Sequence, residues 1–461
     1  MSDLICISPI DGKELVRRPA ATAAEIEAAL TAARIAQKEW RKLSIDERCG
    51  YVLKFLDAML AMNQDVVPEL AQQMGRPVRY GGEFGGFEER VRYMVRIANA
   101  GLAPYVPDDD RPGFERMIKR EPLGVVFVVA PWNYPFMTAV NTVAPALIAG
   151  NAVILKHAAQ TILVGERFQK AMDIAGLPRG IFKNLVLTHE QTTDLLAKGR
   201  VDHTNFTGSV AAGRAIEKAA AGTFMTLGLE LGGKDPAYVR ADANLDHAVA
   251  NLVDGAFYNS GQCCCGIERI YVHENLYDRF VDGFVDLTSQ YVLGDPLDEK
   301  TTLGPMANVR FADWVRKQTA EAIAKGARTH IDTAKYNADV GDTAYLAPQV
   351  LTNVDHSMSV MMDESFGPVV GIVKVGSDEE AIRLMNDSPY GLTAALWTQD
   401  LKAAERIGGE IETGTIFMNR CDYLDPGLTW TGVKDTGRGT GLSRLGYESL
   451  TQPKSYHLRT I

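Results

Sequence analysis

The 461-residue chain is predicted to be an α/β protein built on doubly wound parallel sheets. Two observations carry that class. From Gly124 onward, short continuous apolar runs alternate with amphipathic segments at helical spacing. The alternation begins again after Leu231-Gly232-Gly233-Lys234 and continues to about residue 425. A continuous apolar run suits a strand buried on both faces, and strands alternating with helices form a parallel sheet covered on both sides. Length adds a third constraint. A single core rarely serves more than about 250–300 residues, so two large domains are expected.

Residues 23–42, 45–63, 65–74 and 88–100 carry amphipathic helical patterns, each expected to cover a sheet. Residues 104–112, rich in Pro and Asp, form a loop, and 117–121 alternate as a short strand. The run 124–130 is a buried strand, 137–149 a helix ended by Gly150, and 152–156 the next strand. Helix 164–175 and strands 184–187 and 203–207 follow, the last leading through Gly208-Ser209 into helix 210–220. A doubly wound sheet suits a nucleotide, yet G-x-G-x-x-G is missing; Gly208-Ser209-x-x-x-Gly213 stands at the corresponding strand-to-helix turn. In the second half, helices are expected over 245–258, 276–291 and 378–387 and a strand over 269–272. The tail, 451–458, has strand character with nothing local to pair with.

Apolar content of 46% and charged content of 23% are ordinary for a globular protein. A net charge of −10 with no run of Lys and Arg disfavours nucleic acid or anionic membrane as a partner. Six cysteines, three of them contiguous, make no spaced disulfide framework, and no spacing suggests a metal site. Met1-Ser2-Asp3-Leu4 opens without the basic start and apolar core of a signal peptide, and no apolar tract is long enough for a membrane span. A reduced, cytoplasmic protein is expected.

The most informative stretch is Asn259-Ser260-Gly261-Gln262-Cys263-Cys264-Cys265-Gly266, three adjacent thiols in a Gly-bracketed loop between a helix and a strand. Successive side chains point in different directions, so at most one or two of these sulfurs share a cavity. For Cys6, Cys49 and Cys421 the role of small buried hydrophobe suffices. It does not account for the Asn, Ser, Gly and Gln around the triplet.

The run Asn-Ser-Gly-Gln-x-Cys resembles the catalytic-cysteine motif of the aldehyde dehydrogenase superfamily, and the chain is overall similar to its succinate-semialdehyde dehydrogenase-like branch. The resemblance extends over nearly the whole chain. It implies two doubly wound, Rossmann-like domains, one cofactor-binding (1–103 and 123–229) and one catalytic (230–425). It also implies a small β oligomerisation element with a closing segment (104–122 and 426–461), and assembly as a homodimer or homotetramer. By resemblance Cys264 is the nucleophile. Asn133, in Pro131-Trp132-Asn133, donates to the developing alkoxide together with the Cys264 backbone N–H. Glu230, set in an apolar Gly-flanked run where an unpaired carboxylate is costly, is the general base for the hydrolytic water.

The cofactor, NAD or NADP, is expected to contact Trp132, Lys156, Gly208, Ser209, Leu231, Glu364 and Phe366. Lys156 holds the adenosine ribose in such a scheme, Gly208-Ser209 lies beneath the pyrophosphate at a helix N-terminus, and Glu364 and Phe366 fix the nicotinamide end. Ala159 stands where NAD-dedicated members carry Glu, so loose discrimination between the two cofactors is expected. In the substrate tunnel Asn141 replaces the Arg of succinate-semialdehyde members. Trp430 supplies an aromatic wall, and Arg420 is the one cation placed near the mouth, unless it pairs with Asp422 or Asp425. Uncharged aliphatic or aromatic aldehydes are therefore expected to be better substrates than succinate semialdehyde. Acyl transfer, to coenzyme A or as an esterase, would use the same cysteine. Glu230 argues against it, since the acylating branch generally does without that base. A catalytically silent protein on the same fold would have no need of Cys264, Asn133 and Glu230 together.

Overall fold

The computed structural model describes residues 3–459; Met1 and Ser2, part of the expected leaderless start, lie outside the described residues. The chain is mixed α/β with two large, mostly parallel sheets. The first has the strand order Gly437–Arg438, Thr226–Glu230, His203–Thr207, Val125–Val129, Ala152–Lys156, Phe182–Asn184, parallel except for the Gly437–Arg438 edge. Val125–Val129 is buried at every position, which explains its unbroken apolar sequence. The winding reverses beside it. Later strands add on one side up to Phe182–Asn184 and then on the other from His203–Thr207. The carboxyl ends at this switch point lead into Pro131-Trp132-Asn133 and into Gly208-Ser209, which brings two separate motifs to one crevice.

The second sheet runs Arg328–Thr329, Gln349–Thr352, Val369–Val375, Ile267–His273, Asp235–Val239, Thr393–Trp397, Thr415–Met418, parallel except for Arg328–Thr329. Glu230 ends a strand of the first sheet and Asp235 begins one of the second, so Leu231-Gly232-Gly233-Lys234 is the link between them. That link admits no side chains at its centre. A Cβ on Gly232 would lie 2.4 Å from Glu364 Oε2, and one on Gly233 2.6 Å from the Cys264 carbonyl oxygen.

Several boundaries differ from the sequence reading for identifiable reasons. Asp3–Ile7 and Glu14–Pro19 form an antiparallel hairpin that was not expected; Asp11-Gly12, with Gly12 at φ 70°, is its turn signal. The first-sheet edge strand is Phe182–Asn184 rather than 184–187, although Leu185 N still donates to Leu155 O at 2.8 Å. Helix Phe84–Gly101 starts four residues before the expected 88, because Gly85 and Gly86 read as breakers yet lie within its first turn.

The tail is not short of a partner. Thr451–Arg459 pairs antiparallel with Phe114–Pro122, from Thr451 opposite Pro122 to Arg459 opposite Phe114, closing a two-stranded sheet from segments far apart in sequence. Helix Ser443–Ser449 anchors it, with Tyr447 Oη donating to Met94 O at 2.7 Å. No helix among the described residues is long and apolar enough to cross a membrane. The outer edge of Thr451–Arg459, and that of Phe114–Pro122 away from Ile118, where Tyr105 forms a bridge, offer backbone groups that another strand could satisfy. Sedimentation at micromolar concentration should show a homodimer or a pair of such dimers; a monomer would mean that these edges remain open.

Candidate active site

The cysteine loop is shaped by its polar residues. Asn259 and Ser260 adopt φ of 53° and 57°, and Gly261 follows at 70°, so three successive residues turn left-handed before the thiols. The side chains hold that turn. Ser260 Oγ donates to Gly304 O at 2.9 Å, Gln262 Nε2 to Asn259 O at 3.1 Å, and Ala307 N to Gln262 Oε1 at 2.7 Å. Cys264 emerges half-buried, while Cys263 and Cys265 are 5% and 1% exposed. All three line the cavity, and Cys264 is the least buried of them.

Behind the loop lies a buried ion pair that sequence reading missed. Arg76 Nη1 contacts Glu83 Oε1 at 2.6 Å. The same guanidinium donates through Nη2 to Asn133 O at 2.6 Å and through Nε to Asn259 Oδ1 at 3.2 Å. Glu83 Oε2 accepts from the backbone N–H groups of Phe136 and Met137 at 3.1 and 2.9 Å, in the first turn of helix Pro135–Ile148. Asn259 Nδ2 completes the connection by donating to Asn133 O at 3.2 Å.

Asn133 is buried, and its Nδ2 donates to Gln262 O at 3.2 Å, so its amide lies against the cysteine loop with one hydrogen still free. The Cys264 backbone N–H has no acceptor among the described residues. Glu230 lines a cavity of about 200 Å³ together with Cys264. Burial pushes its carboxyl up to about 7, against the opposing hydrogen bonds of Thr207, whose Oγ1 lies 3.2 Å from Oε2, and of Asn205, and the charge of Arg90.

The three sulfurs lie within 4.8 Å of one another. Hydrogen bonding from Cys263 and then Cys265 lowers the Cys264 thiol to about 6, while Cys263 is pushed up to about 12 and Cys265 well above its ordinary value. The two flanking thiols also donate to Asp422 Oδ1 at 2.9 and 3.0 Å. Burial holds the Asp422 carboxyl far above the usual carboxylate range. Nothing in the sequence around Asp422 marked it for this place.

The expected cofactor residues converge at the switch-point crevice and the interdomain link. Lys156 ends its strand 7% exposed and forms no ion pair among the described residues; burial lowers it to about 8. Ser209 caps helix Val210–Ala220, its hydroxyl accepting from Ala212 N at 3.3 Å, and Gly208 N donates to Glu230 O at 3.0 Å. Glu364 accepts from Gly233 N at 3.0 Å, and burial pushes its carboxyl up to about 8. Phe366, at φ 51°, meets Trp132 edge to face with ring centroids 5.6 Å apart. The loop carrying both is pinned by the buried Lys234–Glu268 pair, since Glu268 accepts from Ser365 N and Phe366 N at 2.8 Å each. Leu231 is buried with its N–H on Thr436 O at 2.9 Å.

Of the expected substrate contacts, Asn141 and Trp430 line the cavity. Arg420 does not. Asn419 at φ 54° and Asp422 at φ 49° turn the chain so that Arg420 is exposed and its guanidinium stacks 3.7 Å from the Tyr423 ring centroid, pairing with neither Asp422 nor Asp425. The cation in the cavity is Arg90, from helix Phe84–Gly101, 8% exposed. Its place on that helix's buried face was the only available signal, and long arginines on amphipathic helices usually reach solvent.

Glu83→Gln should cost about 3–5 kcal/mol of stability, the usual result of leaving one partner of a buried pair uncompensated. Arg76→Met should in addition depress activity in the surviving folded fraction, because it frees Asn133 and Asn259. Chemical denaturation together with active-site titration checks both.

The whole chain matches known proteins. A model of the aldehyde dehydrogenase family aligns with residues 2–456. An aldehyde dehydrogenase of Paenarthrobacter nicotinovorans is 34% identical over 97% of this chain and 98% of its own. A succinate semialdehyde dehydrogenase [NAD(P)+] of Escherichia coli (strain K12) is 31% identical over 96% of this chain and 95% of its own. Among solved structures, PnpE in complex with nicotinamide adenine dinucleotide superposes with a TM-score of 0.93 at 30% identity, over all of this chain and 94% of that one. The chain belongs to the aldehyde dehydrogenase family and is an NAD(P)-dependent oxidoreductase acting on aldehydes.

Proposed function

We propose that the chain oxidises its aldehyde to a free carboxylic acid through a thioester on Cys264, which water activated by Glu230 then hydrolyses. The observation that carries this reading is that Cys264, the least buried residue of the triplet, and a carboxyl that burial raises to about 7 share a single cavity. The Cys264 thiolate adds to the carbonyl carbon, and the π pair moves onto oxygen. That alkoxide meets the free Asn133 amide hydrogen and the Cys264 N–H; each such donor is typically worth 10²–10³ in rate. A bound nicotinamide, held by Glu364, Phe366 and Trp132, would supply the hydride acceptor; loss of hydride from the carbon re-forms its carbonyl as a thioester. Glu230 takes a proton from water as its oxygen attacks, and Cys264 departs as thiolate, the form its lowered pKa favours.

The residues present fit the cofactor. Lys156 offers a buried ammonium with no anion of its own, the Ser209 turn a helix N-terminus for a pyrophosphate, and Glu364 a half-buried acceptor for ribose hydroxyls. Trp132, Gly208, Leu231 and Phe366 would form the remaining walls. Ala159 brings no carboxylate to repel a 2′-phosphate, consistent with use of either NAD or NADP.

Cys264→Ala should abolish dehydrogenase and esterase activity alike, whereas Cys263→Ala and Cys265→Ala should retain turnover. Glu230→Gln should release one equivalent of reduced cofactor per site in a burst and then turn over slowly; loss of the burst would place Glu230 before hydrolysis. The pH profile follows from the two shifted groups. A base must be ionised to work, so kcat should rise with pH through about 7 and level off above it, and Glu230→Gln should remove that limb. The nucleophile must also be ionised, so kcat/KM should fall on acidification through about 6, and Cys263→Ala or Cys265→Ala should move that limb upward.

A further inference from the structure

Arg90 is a cation without an anion. Its side chain is buried against the cavity that holds Cys264 and Glu230, and it forms no ion pair among the described residues. A buried guanidinium left in that state is costly. The carboxyl groups sharing the cavity are otherwise engaged. Glu230 accepts from Thr207, Asp422 from Cys263 and Cys265, and Glu89, exposed at the rim, from Tyr423 Oη at 2.7 Å.

The guanidinium is also oriented. Both of its hydrogen bonds start from Nη1, one to Met137 O at 3.1 Å and one to Asn141 Oδ1 at 3.3 Å. They use both Nη1 hydrogens and leave Nε–H and the two Nη2 hydrogens without an acceptor. An Nε/Nη2 edge is one of the two edges on which a guanidinium grips a carboxylate with two parallel hydrogen bonds. The cavity that Arg90 and Cys264 share has largely apolar walls, with Met137, Leu392, Leu424 and Trp430 among them, and its volume of about 200 Å³ suits a short chain.

We propose that Arg90 binds the far end of the substrate, and that the physiological aldehyde carries a carboxylate a few carbons from its carbonyl. Asn141 is then a positioning residue that braces the guanidinium rather than a contact to the substrate tail. This reverses the sequence expectation of a preference for uncharged aldehydes, which rested on Asn141 lacking charge and on Arg420 facing the tunnel. The proposal rests on Cys264 being the nucleophile in this cavity.

The test compares 4-oxobutanoate with its methyl ester, which keeps the chain and removes the charge, using the full-length enzyme with saturating cofactor. Wild type should prefer the acid at least tenfold in kcat/KM. Arg90→Gln should lower that acid-to-ester ratio at least tenfold, mainly through KM for the acid. Asn141→Leu, which keeps the charge and removes its brace, should lower the ratio less and in the same direction. A wild-type preference for the ester, or an equal loss on both substrates in Arg90→Gln, would overturn the proposal; the latter would assign Arg90 to the thiolate or to folding. Should Arg90→Gln fail to fold, inhibition of wild-type ester oxidation decides. Succinate competing at least tenfold more tightly than butanamide supports the carboxylate site, and equal inhibition overturns it. Failure of the parent reading looks different, because Cys264→Ala would then retain oxidation of both substrates.

Discussion

The Arg76–Glu83 pair is the constraint on which the site depends. One guanidinium and one carboxylate, both out of solvent, reach four pieces of chain: the start of helix Phe84–Gly101, the start of helix Pro135–Ile148, the Asn133 carbonyl and the Asn259 amide. A buried pair of this kind contributes little net stability, because desolvation offsets most of the attraction. Its value here is geometric. It fixes the amide of Asn133 against the loop of Cys264, and the oxyanion-donor role proposed for that amide would be sensitive to a displacement of about an ångström.

The Leu231–Lys234 link plays the corresponding role between the two sheets. Its glycines let the Cys264 carbonyl and the Glu364 carboxylate approach the backbone from two directions, while Lys234 pins the Glu364–Phe366 loop through Glu268. Glu230 stands at the head of this link, so Glu230 is positioned by the strand that ends the first sheet and Cys264 by the loop that enters a strand of the second. Both are carried by regular structure on one side at least, which limits their drift.

Much of this was legible in the sequence because strand burial and helical periodicity are local signals. The parallel strands 152–156 and 203–207 and helix 210–220 fall where they were expected, and the Cys264, Glu230 and Asn133 motifs stand at element ends. What escaped is what depends on contact between distant segments. Asp422 reaches the thiols only because Asn419 and Asp422 itself turn left-handed. Arg76 and Glu83 are ordinary charges in sequence, seven residues apart, with no hint that both are buried. Arg90 lines the cavity and Arg420 does not, because side-chain direction at a helix face or an irregular loop follows from packing, which a linear pattern does not encode.

The pairing of Thr451–Arg459 with Phe114–Pro122, and of Gly437–Arg438 with Thr226–Glu230, has a consequence in time. Most of the first sheet emerges from the ribosome by residue 230, yet its last edge strand, and the partner of the Phe114–Pro122 ribbon, are made only at the end of synthesis. The nascent chain must hold two open edges while the whole second sheet is translated. At roughly 5–20 residues per second that interval is on the order of ten seconds or more. The early half is thus exposed to wrong partners throughout that interval.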